Sequence, residues 1–121
     1  MSTVSRVLVT GGTGQLGSAL SKLVADGVQI RSADRNELDI TDEARVSAML
    51  DEYRPQAIIN TAAYTAVDKA ESDRERAELI NVRGPAVLAR AARLHDARLI
   101  HISTDFVFDG AKRTPYEVND P

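Results

Sequence analysis

The sequence predicts an α/β fold: a doubly wound parallel sheet of about four strands with helices on both faces. Three observations carry this. Short β-branched runs alternate with segments of helical periodicity along the chain. Glycines cluster directly after the first run, at Gly11, Gly12, Gly14 and Gly17. No internal repeat or low-complexity segment points to another architecture.

The elements follow in order. Arg6-Val7-Leu8-Val9-Thr10 reads as a buried strand. Leu16, Ala19, Leu20, Leu23 and Val24 then recur at helical spacing, predicting a helix over 15–26 that Gly27 stops. Residues 28–33 read as the second strand. Thr41 or Asp42 can cap a second helix, whose stripe is Val46, Met49, Leu50 and Tyr53 and which Pro55 ends. Residues 56–60 form the third strand. Ser72-Asp73-Arg74-Glu75 is a capping-box pattern, predicting a long helix to about His95. Pro85 lies inside it and supplies no N–H to the carbonyl of Asn81, so a bend or break is expected there. Residues 98–103 form the fourth strand, and the polar tail from Asp109 reads as loop.

Composition narrows function. At 121 residues, the chain is one domain's worth with room for one core. The net charge is −3 and neither half is a basic arm, so no nucleic-acid or anionic-membrane partner is expected. There is no cysteine, which removes disulfides, thiolate metal sites and cysteine nucleophiles. No apolar run reaches the length of a membrane span, and the N-terminus lacks a signal-peptide pattern. A reducing, cytoplasmic setting is expected.

The glycine loop is the first chemical signal. It fits two registers, Gly12-x-Gly14-x-x-Gly17 and Gly11-x-x-Gly14-x-x-Gly17. In either, one glycine makes the turn, one lets backbone approach a pyrophosphate and one lets helix pack on strand. Asp34 lies 20 residues past Gly14, where an acid binds the adenosine ribose of a dinucleotide. Together these point to a Rossmann-type site for NADH or NADPH. Arg35 leaves the choice open, because an arginine there can hold the 2′-phosphate of NADP.

Ligands of open α/β sheets bind outside the carboxyl ends of the strands. Leu38-Asp39-Ile40 follows the second strand and can border the adenine, although Asp39 reads equally well as a turn group. Asn60-Thr61-Ala62-Ala63-Tyr64-Thr65 follows the third, with small residues against which a flat cofactor can lie. Ser103-Thr104-Asp105 follows the fourth; on its own, Thr104 reads as a strand-end turn group. His101 has no partner at ligand spacing, and no metal-ligand cluster stands out. Asp68, Lys69 and Glu71 read as a solvated run. Tyr116 is not the tyrosine of a YxxxK motif, because Asp120 occupies the +4 position.

Four stretches resemble the extended short-chain dehydrogenases/reductases, and within them the dTDP-4-dehydrorhamnose reductase family. They are residues 9–17, 38–42, 60–71 and 103–110, and the resemblance runs over essentially the whole chain. It implies pyrophosphate contacts from Gly11, Gly14, Gln15, Leu16 and Gly17. It places Asp34 and Arg35 at the adenosine ribose and Asp39 and Ile40 at the adenine. It sets Ala62, Ala63, Tyr64, Thr65 and Ile102 along the rest of the cofactor. Thr104 would be catalytic, polarising the 4-keto group of dTDP-4-dehydro-L-rhamnose, with Asp105 helping to place the sugar. Family members are described as using Mg²⁺ and forming homodimers. The family's catalytic tyrosine and lysine and its sugar-nucleotide domain have no counterpart in these 121 residues. The chain is therefore expected to be the N-terminal part of a longer enzyme, binding dinucleotide weakly and catalysing nothing alone. The alternative is a non-catalytic regulatory subunit, resembling the methionine adenosyltransferase β subunit. An S-adenosylmethionine-binding methyltransferase is a third class, disfavoured by the pyrophosphate-type glycine spacing.

Overall fold

A computed structural model of the chain describes residues 3–23, 25–63, 72–104 and 107–121. Strand β1 (Arg6–Thr10) leads through the glycine loop into helix α1 (Gln15–Ser21) and strand β2 (Gln29–Ala33). Helix α2 (Glu43–Tyr53) and strand β3 (Ala57–Asn60) come next. Helix α3 (Arg74–Glu78), a π-helical turn (Leu79–Arg83) and helix α4 (Gly84–Leu94) then run end to end, before strand β4 (Arg98–His101).

All pairings are parallel, in the order β2-β1-β3-β4. The chain steps from β1 outward to β2, then crosses back to place β3 on the other side of β1. The connections leaving β1 and β3 therefore part at their carboxyl ends, which opens a crevice there.

Side chains alternate across a strand, and the register puts like residues together. Leu8 pairs with Ile58. Both face Val46 and Leu50 of α2 and Val87, Leu88, Ala91 and Ala92 of α4. Val7 pairs with Ala57, and these join Val9, Leu20 of α1 and Ile59 on the opposite face. Leu8, Leu50, Ile58 and Leu88 are wholly buried. Each contributes roughly 1.5–3 kcal/mol relative to exposure.

Helix α2 follows its sequence signals closely. The Asp42 carboxylate accepts from the Arg45 N–H at 3.2 Å, so Asp42 rather than Thr41 is the cap. Arg54 closes the helix in a left-handed conformation just before Pro55.

Helix α1 ends five residues earlier than the predicted 26. Its last bonds tighten, with Lys22 N–H donating to Ala19 O and Leu23 N–H to Leu20 O. Leu23 is 58% exposed, so no core contact holds a longer helix in place. Gly27 spends its positive φ in the turn where Val28 N–H meets Ala25 O, not as a helix stop.

The long third helix starts and bends differently from expectation. Asp73 rather than Ser72 sits at the N-cap of α3, and its side chain makes no capping bond. Pro85 does not break the path. The backbone widens into the π turn instead, and Gly84 N–H donates to Leu79 O five residues back. One extra residue per turn accommodates a ring that cannot donate. Strand β4 ends at His101 rather than 103 and forms an exposed edge, with Ile100 half-exposed. Among the described residues, no helix is long and apolar enough to cross a membrane.

Candidate active site at the β1–β3 crevice

The strand ends are pinned by a polar network. Thr10 and Asn60 are the buried polar residues of the sheet, both fully excluded from solvent. The Thr10 hydroxyl donates to Asn60 Oδ1 at 2.6 Å. Ala62 N–H donates to the same oxygen at 3.2 Å. That leaves the Asn60 amide N–H to donate to His101 Nδ1, 3.0 Å away. His101 therefore presents a lone pair at Nδ1 and carries its proton on Nε2. Thr61 adds a hydroxyl bond to Thr10 O at 2.6 Å. β1, β3, β4 and the loop after β3 are thus tied at one point. Every buried polar side-chain atom among the described residues has a partner.

The glycine loop leans on this platform. Gly11 has φ +70°, and a Cβ there would lie 2.6 Å from Ala62 N and 2.7 Å from Thr61 Oγ1. At Gly17 a Cβ would collide with Gly11 O and Thr61 Oγ1. Gly14 meets only Gly11 O, at 3.4 Å, and its outer side is open. Gly12 packs against Ser32 and donates to Ala33 O at 3.0 Å. The wider register therefore performs the three roles: Gly11 turns the chain, Gly14 leaves room and Gly17 seats α1. Gly14 is also the N-cap of α1 and brings no side chain to cover the first-turn N–H groups. Such groups, aimed at open space, suit an anion.

A cleft of about 560 Å³ opens over this loop. Gly11, Thr13 and Gly14 form one wall, and Thr61, Ala62 and Ala63 form another. Arg35, Leu38, Asp39 and Ile40 close one end. The volume suits a nucleotide-sized ligand, and small residues line the side from which a flat ring would enter.

Asp34 and Arg35 divide the work at that end. The Asp34 carboxylate accepts from Glu37 N–H at 2.8 Å, and Asp34 O accepts from Leu38 N–H. This builds the turn that delivers Arg35 and Asp39 to the cleft; Asp34 itself is not part of the wall. Asp39 accepts from Thr41 Oγ1 at 2.7 Å and Thr41 N at 3.0 Å. Those bonds, with a smaller contribution from the Arg35 guanidinium, hold its carboxyl below the usual range. Asp39 is thus both turn group and cleft residue. Ile40 packs on Gly84, where a Cβ would lie 2.5 Å from Ile40 Cδ1. That contact draws the α3–π–α4 wall against the cleft.

The remaining expected residues fall in three places. Gln15 and Leu16 lie on α1 beside the cleft, exposed and outside its wall, and Gly17 is buried beneath the loop. Ile102 donates its N–H to Asn60 O at 3.1 Å and is 42% exposed. Thr104 is exposed beyond β4. Tyr64, Thr65, Asp105 and the run with Asp68, Lys69 and Glu71 lie outside the described residues. Tyr116 has a local role: it stacks on Phe108 and bonds Asp109 and Lys112. Sequence reasoning missed Asp73, Arg76 and Ile80, which line the cleft from α3 and the π turn. Their spacing of three and four was the available signal. Among the described residues, no group of three or more histidines or carboxylates is placed to hold a metal.

Sheet order, glycine cradle and crevice together define a Rossmann-type α/β domain. Comparison with known proteins makes the assignment narrower. A family model described as "RmlD substrate binding domain" matches residues 5–121, and the chain belongs to that family. The dTDP-4-dehydrorhamnose reductase of Aggregatibacter actinomycetemcomitans is 44% identical over 119 residues, covering 97% of this chain and 40% of that protein. The Bacillus anthracis dTDP-4-dehydrorhamnose reductase, solved in complex with NADP, is 43% identical with a TM-score of 0.85. That match covers 89% of this chain and 39% of the other. The corresponding Clostridium acetobutylicum structure is 39% identical with a TM-score of 0.88, over 96% of this chain and 42% of its own. The chain thus spans about 40% of the length of the relatives it matches.

Proposed function

We propose that this chain is the cofactor-binding part of an NAD(P)H-dependent reductase acting on the C4 keto group of dTDP-4-dehydro-L-rhamnose. The observation that supports it best is the Gly11–Gly14 cradle opening into the β1–β3 cleft, in a chain of this family. The residues fit a dinucleotide. A Cβ at Gly11 would collide with the Ala62 backbone, so glycine lets the loop sit close against the strand-end platform, and the open side of Gly14 admits a pyrophosphate.

A reduced nicotinamide, when bound, supplies the hydride. The residues of this chain bind and orient the dinucleotide and meet the keto oxygen. Backbone N–H groups from Gly14 into α1 hold the pyrophosphate. Arg35 meets the adenosine end, and Leu38, Asp39 and Ile40 border the adenine. Ala62 and Ala63, held by Asn60, give the flat wall along the inner ribose. Thr104 offers its hydroxyl beyond β4 to polarise the keto oxygen. The proton donor and the sugar-nucleotide contacts come from elsewhere in the protein.

The test is the intact protein with NADPH and dTDP-4-dehydro-L-rhamnose, followed by loss of nicotinamide absorbance. Turnover that Thr104→Val reduces, with NADPH affinity retained, is the expected result. An intact protein that binds NADPH without consuming it would overturn the reductase reading in favour of a regulatory one.

A further inference from the structure

A second arginine, Arg76, borders the cleft. It lies on α3 and lines the same cleft as Arg35. Its place along the cleft follows from packing. Gly84, at the start of α4, touches Ile40. Ile80 and Arg76 lie one and two turns earlier on the helical path, and both face the cleft. The cleft thus has two cations in its wall: Arg35 from the turn after β2 and Arg76 from α3. Neither forms an ion pair within 4 Å among the described residues.

The nearby carboxylates are unequal opponents. Asp39 is turned to Thr41 by two hydrogen bonds. Asp73 lines the cleft and makes no capping bond to its helix. Asp34, the acid that would favour a free ribose diol, accepts from Glu37 N–H and lies outside the cleft wall. Two guanidinium groups with a diverted ribose acid suit a doubly charged ester at the 2′ position.

We infer that Arg76 is a cofactor-specificity residue, pairing with Arg35 across the adenosine end to hold the 2′-phosphate, so that this protein selects NADPH over NADH. The inference rests on the proposed dinucleotide site and adds the residue that discriminates between its two ligands.

Titration of the intact protein with NADPH and separately with NADH, read by nicotinamide fluorescence, tests it. Arg76→Ala weakens NADPH binding by about tenfold and leaves NADH within about twofold, the loss of a charged hydrogen bond made to one ligand only. Arg76→Lys recovers part of the NADPH affinity, and Asp73→Asn tightens NADPH alone. Arg76 is exposed, so the variants fold, which a thermal melt checks. Equal losses for both nucleotides would overturn the inference, because a group stacking on adenine or supporting the helix does not discriminate. No change in either would overturn it as well. Wild-type protein that binds neither nucleotide removes the dinucleotide site itself, and the inference falls with it.

Discussion

Asn60 is a fully buried polar residue that ties three strands together, and replacing it gives a sharp test. Its Oδ1 accepts from the Thr10 hydroxyl and the Ala62 N–H, and its amide N–H donates to His101. Asn60→Ala leaves the fully buried Thr10 hydroxyl without its acceptor and frees the Ala62 N–H. Each orphaned group costs about 1–3 kcal/mol, so a loss of roughly 2–6 kcal/mol is expected. That is a large part of a domain's typical stability of about 5–15 kcal/mol. Thr10→Val removes one of the two orphans in advance. The double variant should then lose less than the two singles together, with a coupling of about 1–2 kcal/mol. Asn60→Asp keeps the accepting oxygen but loses the amide donor to His101, and falls between wild type and Asn60→Ala. Urea unfolding followed by circular dichroism measures all of these. The same variants should weaken NADPH binding, because the Ala62–Ala63 wall loses its anchor. Additive single and double variants, or a loss under about 0.5 kcal/mol for Asn60→Ala, would refute the reasoning.

Other outcomes follow from single sites. Gly11→Ala combines left-handed strain of about 1–2 kcal/mol with a backbone collision at Ala62, and lowers both melting temperature and dinucleotide affinity. Unchanged affinity with unchanged stability would contradict the cradle. Leu50→Ala empties a wholly buried position between α2 and the sheet and costs about 2–5 kcal/mol in urea unfolding. His95 Nε2 donates to Asp51 and Nδ1 to Ala91 O, two acceptors that favour the imidazolium, so its pKa is raised above the ordinary 6.5. Its contribution is full below pH 6.5 and fades as pH rises through the folded pKa. The melting-temperature gap between wild type and His95→Gln should therefore be larger near about pH 6 than near about pH 8.5. An equal gap would rule the ion pair out as a source of stability.

Local signals made much of the fold legible. The strand β1, the capped and striped α2 and the stop at Pro55 are properties of short stretches, and they form where the pattern puts them. Helix α1 ends early because its last turn finds no core, which periodicity alone does not reveal. The effect of Pro85 was visible, but not its form: a π turn depends on how Gly84 seats against Ile40. The cleft shows the same division. Gly11, Gly14, Arg35, Asp39, Ile40, Ala62 and Ala63 sit in strand-end loops, where chain order already brings them together. Arg76 and Ile80 reach the cleft only through helix packing. The Thr10–Asn60–His101 chain needs three strands in register before its members meet.

The proposed nicotinamide dinucleotide site lies at the carboxyl ends of β1 and β3. Titrating NADPH into the ¹⁵N-labelled chain and following its amide resonances tests that directly. Saturable shifts are expected at Gly11, Gly14, Asp39 and Ala62, with β4 edge residues such as Ile100 unmoved. Shifts confined to surfaces away from the glycine loop, or none at saturating NADPH, would contradict it.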